Sequence, residues 1–388
     1  MYLCFKPLKQ FEMKKHLITF SAIVAFCFAG LSQEQNFAYS TATGLWGYVS
    51  NNGTEITPPI YRSVSPYSKD GYATGVNSST KAGVLLNAKG EVIDLGVSGT
   101  TRAEYIGETE KNLDTKWVIV EAAKKQGVVS VSGKIIHELI YDKVYSSPDG
   151  TVYAKTGTQF FILSKDGKVV KLGVDILDVK DFKEGLAPFR SATKLFGFID
   201  SKGVIVIPAQ FTSVGYFSNG LAWAKTAAKK VGFIDKSGKW AIHAKYDMVK
   251  EFDPSSKRAL ASIGEIYCFL TPNGEEIKVE GATKLGQFEN GYAYAFKVKS
   301  VGFVDPSGKW ITDAKYTKVH GFSDGLARVQ IGAKWGYINT KGEEVISPSF
   351  DDVEDFKNGF AAVKQGTQWG LINKKGEFVI QPKYLKMQ

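Results

Sequence analysis

Residues 322–350 read FSDGLARVQIGAKWGYINTKGEEVISPSF. Phe322-Ser323-Asp324-Gly325 has the composition of a turn, because aspartate can bond its own backbone and glycine takes φ > 0 freely. Leu326–Gln330 alternates as a half-buried strand does, and Lys334–Asn339 is a second strand. Thr340-Lys341-Gly342 makes a tight hairpin turn into a third strand, Glu344–Ser347, which Pro348 stops. Asp351–Phe356 is a short fourth segment leading into the next turn. Short strands joined by Gly and Asn/Asp turns form a β-meander.

The hairpin phrase GYINTKG at 336–342 returns about every 35 residues. It reads GFIDSKG at 197–203, GFIDKSG at 232–238, GFVDPSG at 302–308 and GLINKKG at 370–376. Its second glycine falls at Gly53, Gly90, Gly133, Gly167, Gly203, Gly238, Gly274, Gly308, Gly342 and Gly376, which makes ten units. A repeat of this period cannot bury its own apolar face, so neighbours must stack. After residue 32 no apolar pattern runs at helical spacing between caps. The fold class is therefore all-β: a tandem array of about ten short antiparallel meanders, closed as a propeller-like ring or open as a β-superhelix.

The ends of the array bear on that choice. Phe37-Ala38 stands in register with Leu326-Ala327, and the repeat reads only as far as Tyr384, with the last unit's fourth segment expected to be missing. An open array needs polar caps. Phe37-Ala38-Tyr39 and Phe378-Val379-Ile380 are not polar, which tips the reading toward the ring. Blades of known propellers, at about 40–45 residues, are longer than these units.

Large residues recur at fixed places. F-x-[NDE]-G-[LYF]-A occurs at 182–187, 217–222, 288–293, 322–327 and 356–361, with a longer version at 67–73. An aromatic follows the third strand at Tyr61, Tyr141, Phe211, Tyr246, Tyr316, Phe350 and Tyr384. Aromatics bury the most area per residue, so this ladder reads as the core at the seams rather than as ligand platforms.

Trp46-Gly47, Trp335-Gly336 and Trp369-Gly370, each followed by an aromatic or Leu and a β-branched residue, resemble the bacterial WG-repeat family. The resemblance spans about residues 45–384. It weakens over 77–180, where Ala82-Gly83, Gln126-Gly127 and Phe160-Phe161 stand in place of Trp-Gly, and again at Tyr267-Cys268. It implies a β-rich, non-catalytic array that mediates binding, with no shared substrate and no shared catalytic residues.

Residues 1–32 form a leader. Lys14-Lys15-His16 precedes an apolar run, Leu17–Gly30, of secretory-signal length; a bilayer span needs about 20 residues. Gly30 and Ser32 are the small residues before a cleavage point between Ser32 and Gln33, and Met13 is an alternative start. Cys27 follows Phe26 rather than a small residue, which argues against lipid attachment. The mature chain, 33–388, is then exported to the periplasm, the outer surface or the medium, with no transmembrane segment left. Removing the leader takes 49 basic and 39 acidic residues to 45 and 38, a net +7. That modest excess sits largely at turn tips such as Lys202, Lys341 and Lys375, where charge keeps hairpins apart. No nucleic-acid motif accompanies it.

Cys4 and Cys27 leave with the leader, so Cys268 stands alone and no disulfide forms within the mature chain. It sits in an apolar strand and reads as a small core residue. His137, His243 and His320 have no metal-ligand spacing, and no nucleophile elbow or phosphate loop appears. Asp200, Asp235, Asp305, Asn339 and Asn373 recur at the hairpin start; one oxygen donor per turn suits an Asx cap, not calcium.

These observations point to a non-enzymatic binding or scaffold protein of the bacterial cell envelope, without cofactor, metal or catalytic residues. Its partner is an unidentified envelope protein or polymer. The alternative is a glycan-binding module using Trp117, Trp223, Trp240 or Trp310; Trp240 and Trp310 follow Gly-Lys turns and are the foremost candidates. A hydrolase on a repeat scaffold would need converging carboxylates or histidines. The longest spacing, Gly90 to Gly133, holds an insertion at 107–114. Binding surfaces on repeat arrays lie where units leave consensus, so Glu108, Glu110 and Lys111 are expected partner contacts.

Overall fold

The computed structural model describes residues 35–107 and 116–387. The leader and residues 108–115 lie outside them. Among the described residues the regular elements are all strands, in nine antiparallel sheets. Ten units give nine sheets because the first unit's third strand, Glu55–Val64, is unbroken. It pairs with the second strand at Trp46↔Tyr61 and then with the following sheet at Ser63↔Val76.

The other units follow the same path with a break at the corner. Glu344–Phe350 is the last strand of one sheet; one residue later Asp352–Val353 opens the next, pairing with Phe360–Gln365. The fourth segment expected to complete each unit therefore starts the sheet after it. Nor does Pro348 stop the third strand. Three residues, 347–349, bulge opposite Gly336 between the pairs Trp335↔Phe350 and Tyr337↔Ile346. At a bulge the missing proline N–H breaks no ladder bond.

That bulge explains the glycine of the repeat. A Cβ on Gly336 would overlap the Ile346 carbonyl and lie 2.6 Å from the Pro348 nitrogen. The same approach recurs at Gly47, Gly127 and Gly370, where the nearest backbone oxygen is 2.6, 2.6 and 2.5 Å away. Only a residue without Cβ lets the third strand cross this low. Where Phe161 and Cys268 replace the glycine, the third strand shrinks to Val169–Lys171 and Glu276–Ile277. The chain then reaches the next sheet through a loop, 172–175 or 278–283, instead of one corner residue.

The array closes on itself. Lys386–Met387 pairs with the first strand, Asn36–Ser40, at Tyr39↔Met387 and Ser40↔Lys386. The last unit's fourth segment is thus present, as two residues completing the first sheet. This pairing selects the ring over the open superhelix.

The core lies in the seams. Five turn phenylalanines meet an aromatic from the preceding unit's second strand, while Phe182 meets Tyr153. Phe198–Phe217, Phe233–Phe252, Phe269–Phe288, Phe303–Phe322 and Tyr337–Phe356 have centroids 4.8, 4.7, 4.5, 4.9 and 4.7 Å apart. The post-strand aromatics Tyr61, Tyr141, Phe211, Tyr246, Tyr316 and Phe350 are buried, as expected of a packed ladder.

Hairpin turns are closed by their own side chains. Asn339 Oδ1 accepts from the amides of Lys341 and Glu343, each at 3.0 Å, and Gly342 has φ +83°. Asp235 and Asp305 do the same. These are the Asx caps read from the sequence.

The F-x-[NDE]-G turns behave differently. Asp324 and Gly325 both have positive φ, as a type I′ turn requires. Asp324 does not cap its own turn; its Oδ2 accepts the amide of Gly359, one unit on, at 2.5 Å. Asp149 caps Gly185 and Glu184 caps Gly220 in the same way, both at 3.0 Å. The acidic preference at this position is thus a turn-to-turn link along the ring.

Corners carry a second link. Asp351 lies 2.6 Å from Lys334 Nζ and accepts the amide of Gly366 at 2.7 Å. Asp142 and Asp247 repeat this with Lys125 and Gly157, and with Lys230 and Gly264. In each case the lysine's hydrogen bond, then the glycine amide, holds the carboxyl below its ordinary pKa.

Candidate functional site

Consensus positions are committed to packing and caps, so a site has to be sought where side chains depart from them. One such place lies between the sixth and eighth units. A cleft of about 600 Å³ opens there, lined by Lys183, Trp223, Lys250, Glu251, Gln287 and Glu289 among others. Trp223 follows Leu221-Ala222, at the position of Arg328 in the unit quoted first. Its indole covers Gly215, where a Cβ would overlap the ring. Glycine at 215 therefore makes room for tryptophan at 223.

In two other units the equivalent side chain reaches the next unit, while Tyr294 lies over Gly286 as Trp223 lies over Gly215. Tyr153 donates to Asp181 Oδ1 at 2.9 Å, and Arg328 donates from Nη1 to the Val353 carbonyl at 2.9 Å. Trp223 has no such partner among the described residues; its Nε1–H is unmatched, and the ring is half-buried. Glu251 accepts the Tyr216 amide at 3.0 Å and lies 3.7 Å from Lys183 Nζ. Burial first, and the nearby Asp181 carboxylate second, raise the Tyr216 pKa. Gln287 donates to Glu289 at 2.8 Å, which orients its amide. Asp253 beneath the cleft is consumed structurally: it accepts the amides of Asn290, Gly291 and Ser256 at 3.0, 3.1 and 2.7 Å.

Of the four tryptophans named from sequence, Trp223 lines the cleft and the other three fall elsewhere. Trp240 is half-buried and packs edge-on against Phe211 at 5.8 Å. Trp310 is half-buried too; its Nε1 donates to the Glu280 carbonyl at 2.9 Å, and Lys297 Nζ lies 4.7 Å from its ring centre. Both serve seams, and the cleft does not include them. Trp117 is buried in the third unit. Glu108, Glu110 and Lys111 lie outside the described residues. The signal for Trp223 was present in the sequence: Gly215 and Trp223 are both large departures in size from their counterparts His320 and Arg328.

Cys268 is buried, and burial raises its thiol pKa to about 11. His320 stacks on Trp335 at 5.4 Å; burial, then Arg328, lowers its pKa. Among the described residues no group of His, Cys, Asp and Glu is arranged to hold a metal ion, and no helix is long and apolar enough to cross a membrane.

A second surface feature is apolar. Ile135, Ile140, Val169, Val204, Ile205 and Val206 are exposed on or beside the edge strands of three successive sheets. These strands adjoin: a Cβ on Gly203 would lie 2.9 Å from Leu172 Cδ2 and 3.2 Å from Val170 Cγ1.

Comparison with known proteins agrees with the repeat. Among solved structures, a crystal structure of the eukaryotic initiation factor aligns with 91% of this chain and 96% of its own at 9% identity, with a TM-score of 0.51. BamB from Moraxella catarrhalis aligns with 81% of this chain and 91% of its own at 12% identity and a TM-score of 0.35. The WD40 β-propeller domain of Doa1 gives 57%, 88%, 15% and 0.28. At such identities the first likeness speaks to fold alone, and the lower scores add nothing to it. No curated protein matches the chain. The WG containing repeat matches at residues 46–74, 196–229, 232–265, 302–335, 335–366 and 369–385. Those segments hold Gly47, Gly197, Gly232, Gly302, Gly336 and Gly370, glycines closely approached by the backbone that follows their hairpin turn. The chain therefore belongs to the WG-containing repeat family.

Proposed function

We propose that this protein is a non-enzymatic scaffold of the bacterial cell envelope that holds a partner protein against one arc of its ring. The observation that carries the reading is the run of exposed Ile and Val along the edge strands of the third to fifth units. Soluble monomers rarely leave adjoining apolar edges open, since an open edge invites pairing. This arc overlaps residues 77–180, where the units leave consensus and where the sequence also holds Glu108, Glu110 and Lys111. Export rests on the leader, Lys14-Lys15-His16 and the apolar run to Gly30.

The test uses the full chain in a bacterial host, with fractionation and cross-linking. Recovery in the envelope fraction is expected, with one envelope protein cross-linked to the wild type. The variant Ile140→Lys/Val169→Lys/Ile205→Lys should melt at the wild-type temperature and lose that product. Equal cross-linking by the variant, or retention in the cytoplasm, would overturn the reading.

A further inference from the structure

We propose that the cleft at Trp223 is a binding subsite for a neutral saccharide. The inference is separate from the protein-contact arc, because it concerns the sixth to eighth units and rests on polar rather than apolar chemistry.

Three observations carry it. The first is the platform. Trp223 lies on Gly215, so its indole is held flat from one side by backbone and still lines the cleft. A ring fixed in this way offers a rigid apolar face, and the axial C–H face of a pyranose is its natural complement. The second is the unmatched donor. Trp310 satisfies its Nε1–H with a backbone carbonyl, whereas no protein acceptor lies against the Nε1–H of Trp223 among the described residues. The indole N–H is a donor only, and a sugar hydroxyl is a suitable acceptor for it.

The third is the lining. Glu251, Gln287 and Glu289 present planar oxygen and amide groups, already oriented by Tyr216 N–H and by one another. The carboxylates accept and the Gln287 amide both donates and accepts, a combination that suits vicinal hydroxyls. Lys183 and Lys250 stand beside Glu251, Glu289 and the amide-capped Asp253, so the lining carries both signs of charge and does not favour a strong anion. The volume, about 600 Å³, is within the range of small-ligand sites. An extended peptide is the less suited occupant. The cleft supplies side chains, and peptide capture of that class relies on a free backbone edge.

The test is calorimetric titration of the full chain with two probes, a β-1,4-linked glucose tetrasaccharide and a β-1,4-linked N-acetylglucosamine tetrasaccharide. At least one should bind with a Kd of about 0.1–1 mM. Trp223→Ala should weaken it by about tenfold or more, and Trp310→Ala should leave it unchanged. Trp223 also packs on the core, so Gln287→Ala, which removes only a lining side chain, is measured beside it. It should weaken binding several-fold with an unchanged Tm. Absence of heat with both sugars, binding that survives both cleft variants, or a response only to a peptide control would each overturn the proposal. None of these outcomes bears on the cross-linking result, so the two readings fail separately.

Discussion

Gly336 passes under Ile346 so closely that the carbonyl oxygen of one occupies the space a Cβ on the other would need. This single approach sets the shape of the unit. It lets the third strand drop across the second and enter the next sheet after one residue. A side chain there has to push the strand away. Gly336→Ala is expected to destabilise by about 3 kcal/mol or more, the range of backbone-clash substitutions. Thermal melts check it, and a loss under 1 kcal/mol would show that the crossing can lift freely.

The hairpin glycines form a graded control. Gly342 and Gly376 share φ +83°. For Gly376→Ala the left-handed backbone alone predicts a loss of about 1–2 kcal/mol, since the nearest atom would be a mobile Ile346 Cγ1 at 3.3 Å. Gly342→Ala should lose more, because its Cβ would lie 2.7 Å from the Ile311 carbonyl. Denaturant titration of the pair decides the order.

Cys268 stands where other units have the crossed glycine, and its thiol pKa is raised to about 11. At pH 8 it should be inert to a disulfide-exchange reagent and react only on unfolding. Fast reaction of the native protein would place the thiol in solvent. Cys268→Ser should destabilise by about 1–3 kcal/mol, the range for an unpaired buried hydroxyl.

Corner aspartates make stability depend on pH in one direction. Asp142, Asp247 and Asp351 are held below their ordinary pKa by a lysine and a glycine amide. A folded-state value below the unfolded one stabilises fully above the unfolded value and is lost as pH falls through the folded one. The triple Asp→Asn variant should thus melt below wild type at neutral pH. The gap should close below about pH 4. A gap independent of pH would assign the loss to shape rather than charge.

Removing residues 385–388 tests closure. It deletes Met387, which is 3% exposed, and uncovers the edge of the first strand. A loss of at least about 2 kcal/mol is expected from the buried side chain, with self-association on gel filtration. A monomer of wild-type stability would mean that the pairing contributes nothing.

The repeat, its strands and its core were legible because the features that specify them are local and recur. The period, the turn glycines and the buried aromatics are each visible within one unit. What escaped was set between units. Asp324 looks like a self-capping turn residue until Gly359 of the next unit is placed beside it. Asp352-Val353 is too short to announce a strand, and only its partner in the following sheet makes it one. The closing pair at Lys386–Met387 was hidden for the same reason. Trp240 and Trp310 looked accessible because they follow turns, but the adjoining unit covers both. Trp223 is among the sequence candidates but not foremost, because its site depends on a small residue, Gly215, on a neighbouring strand.

The closing pair Tyr39↔Met387 also sets an order of events during biosynthesis. Strand Asn36–Ser40 is among the first parts of the array to leave the ribosome, yet the strand that covers its edge is the last. Until then the nascent ring carries an unpaired edge in an aromatic setting, Phe37 and Tyr39, for the whole time of elongation. A factor that shields that edge would speed productive assembly. A circular permutant opened at the loop 278–283 would shorten the wait for that strand and shift the exposed edges to units that already detour through loops.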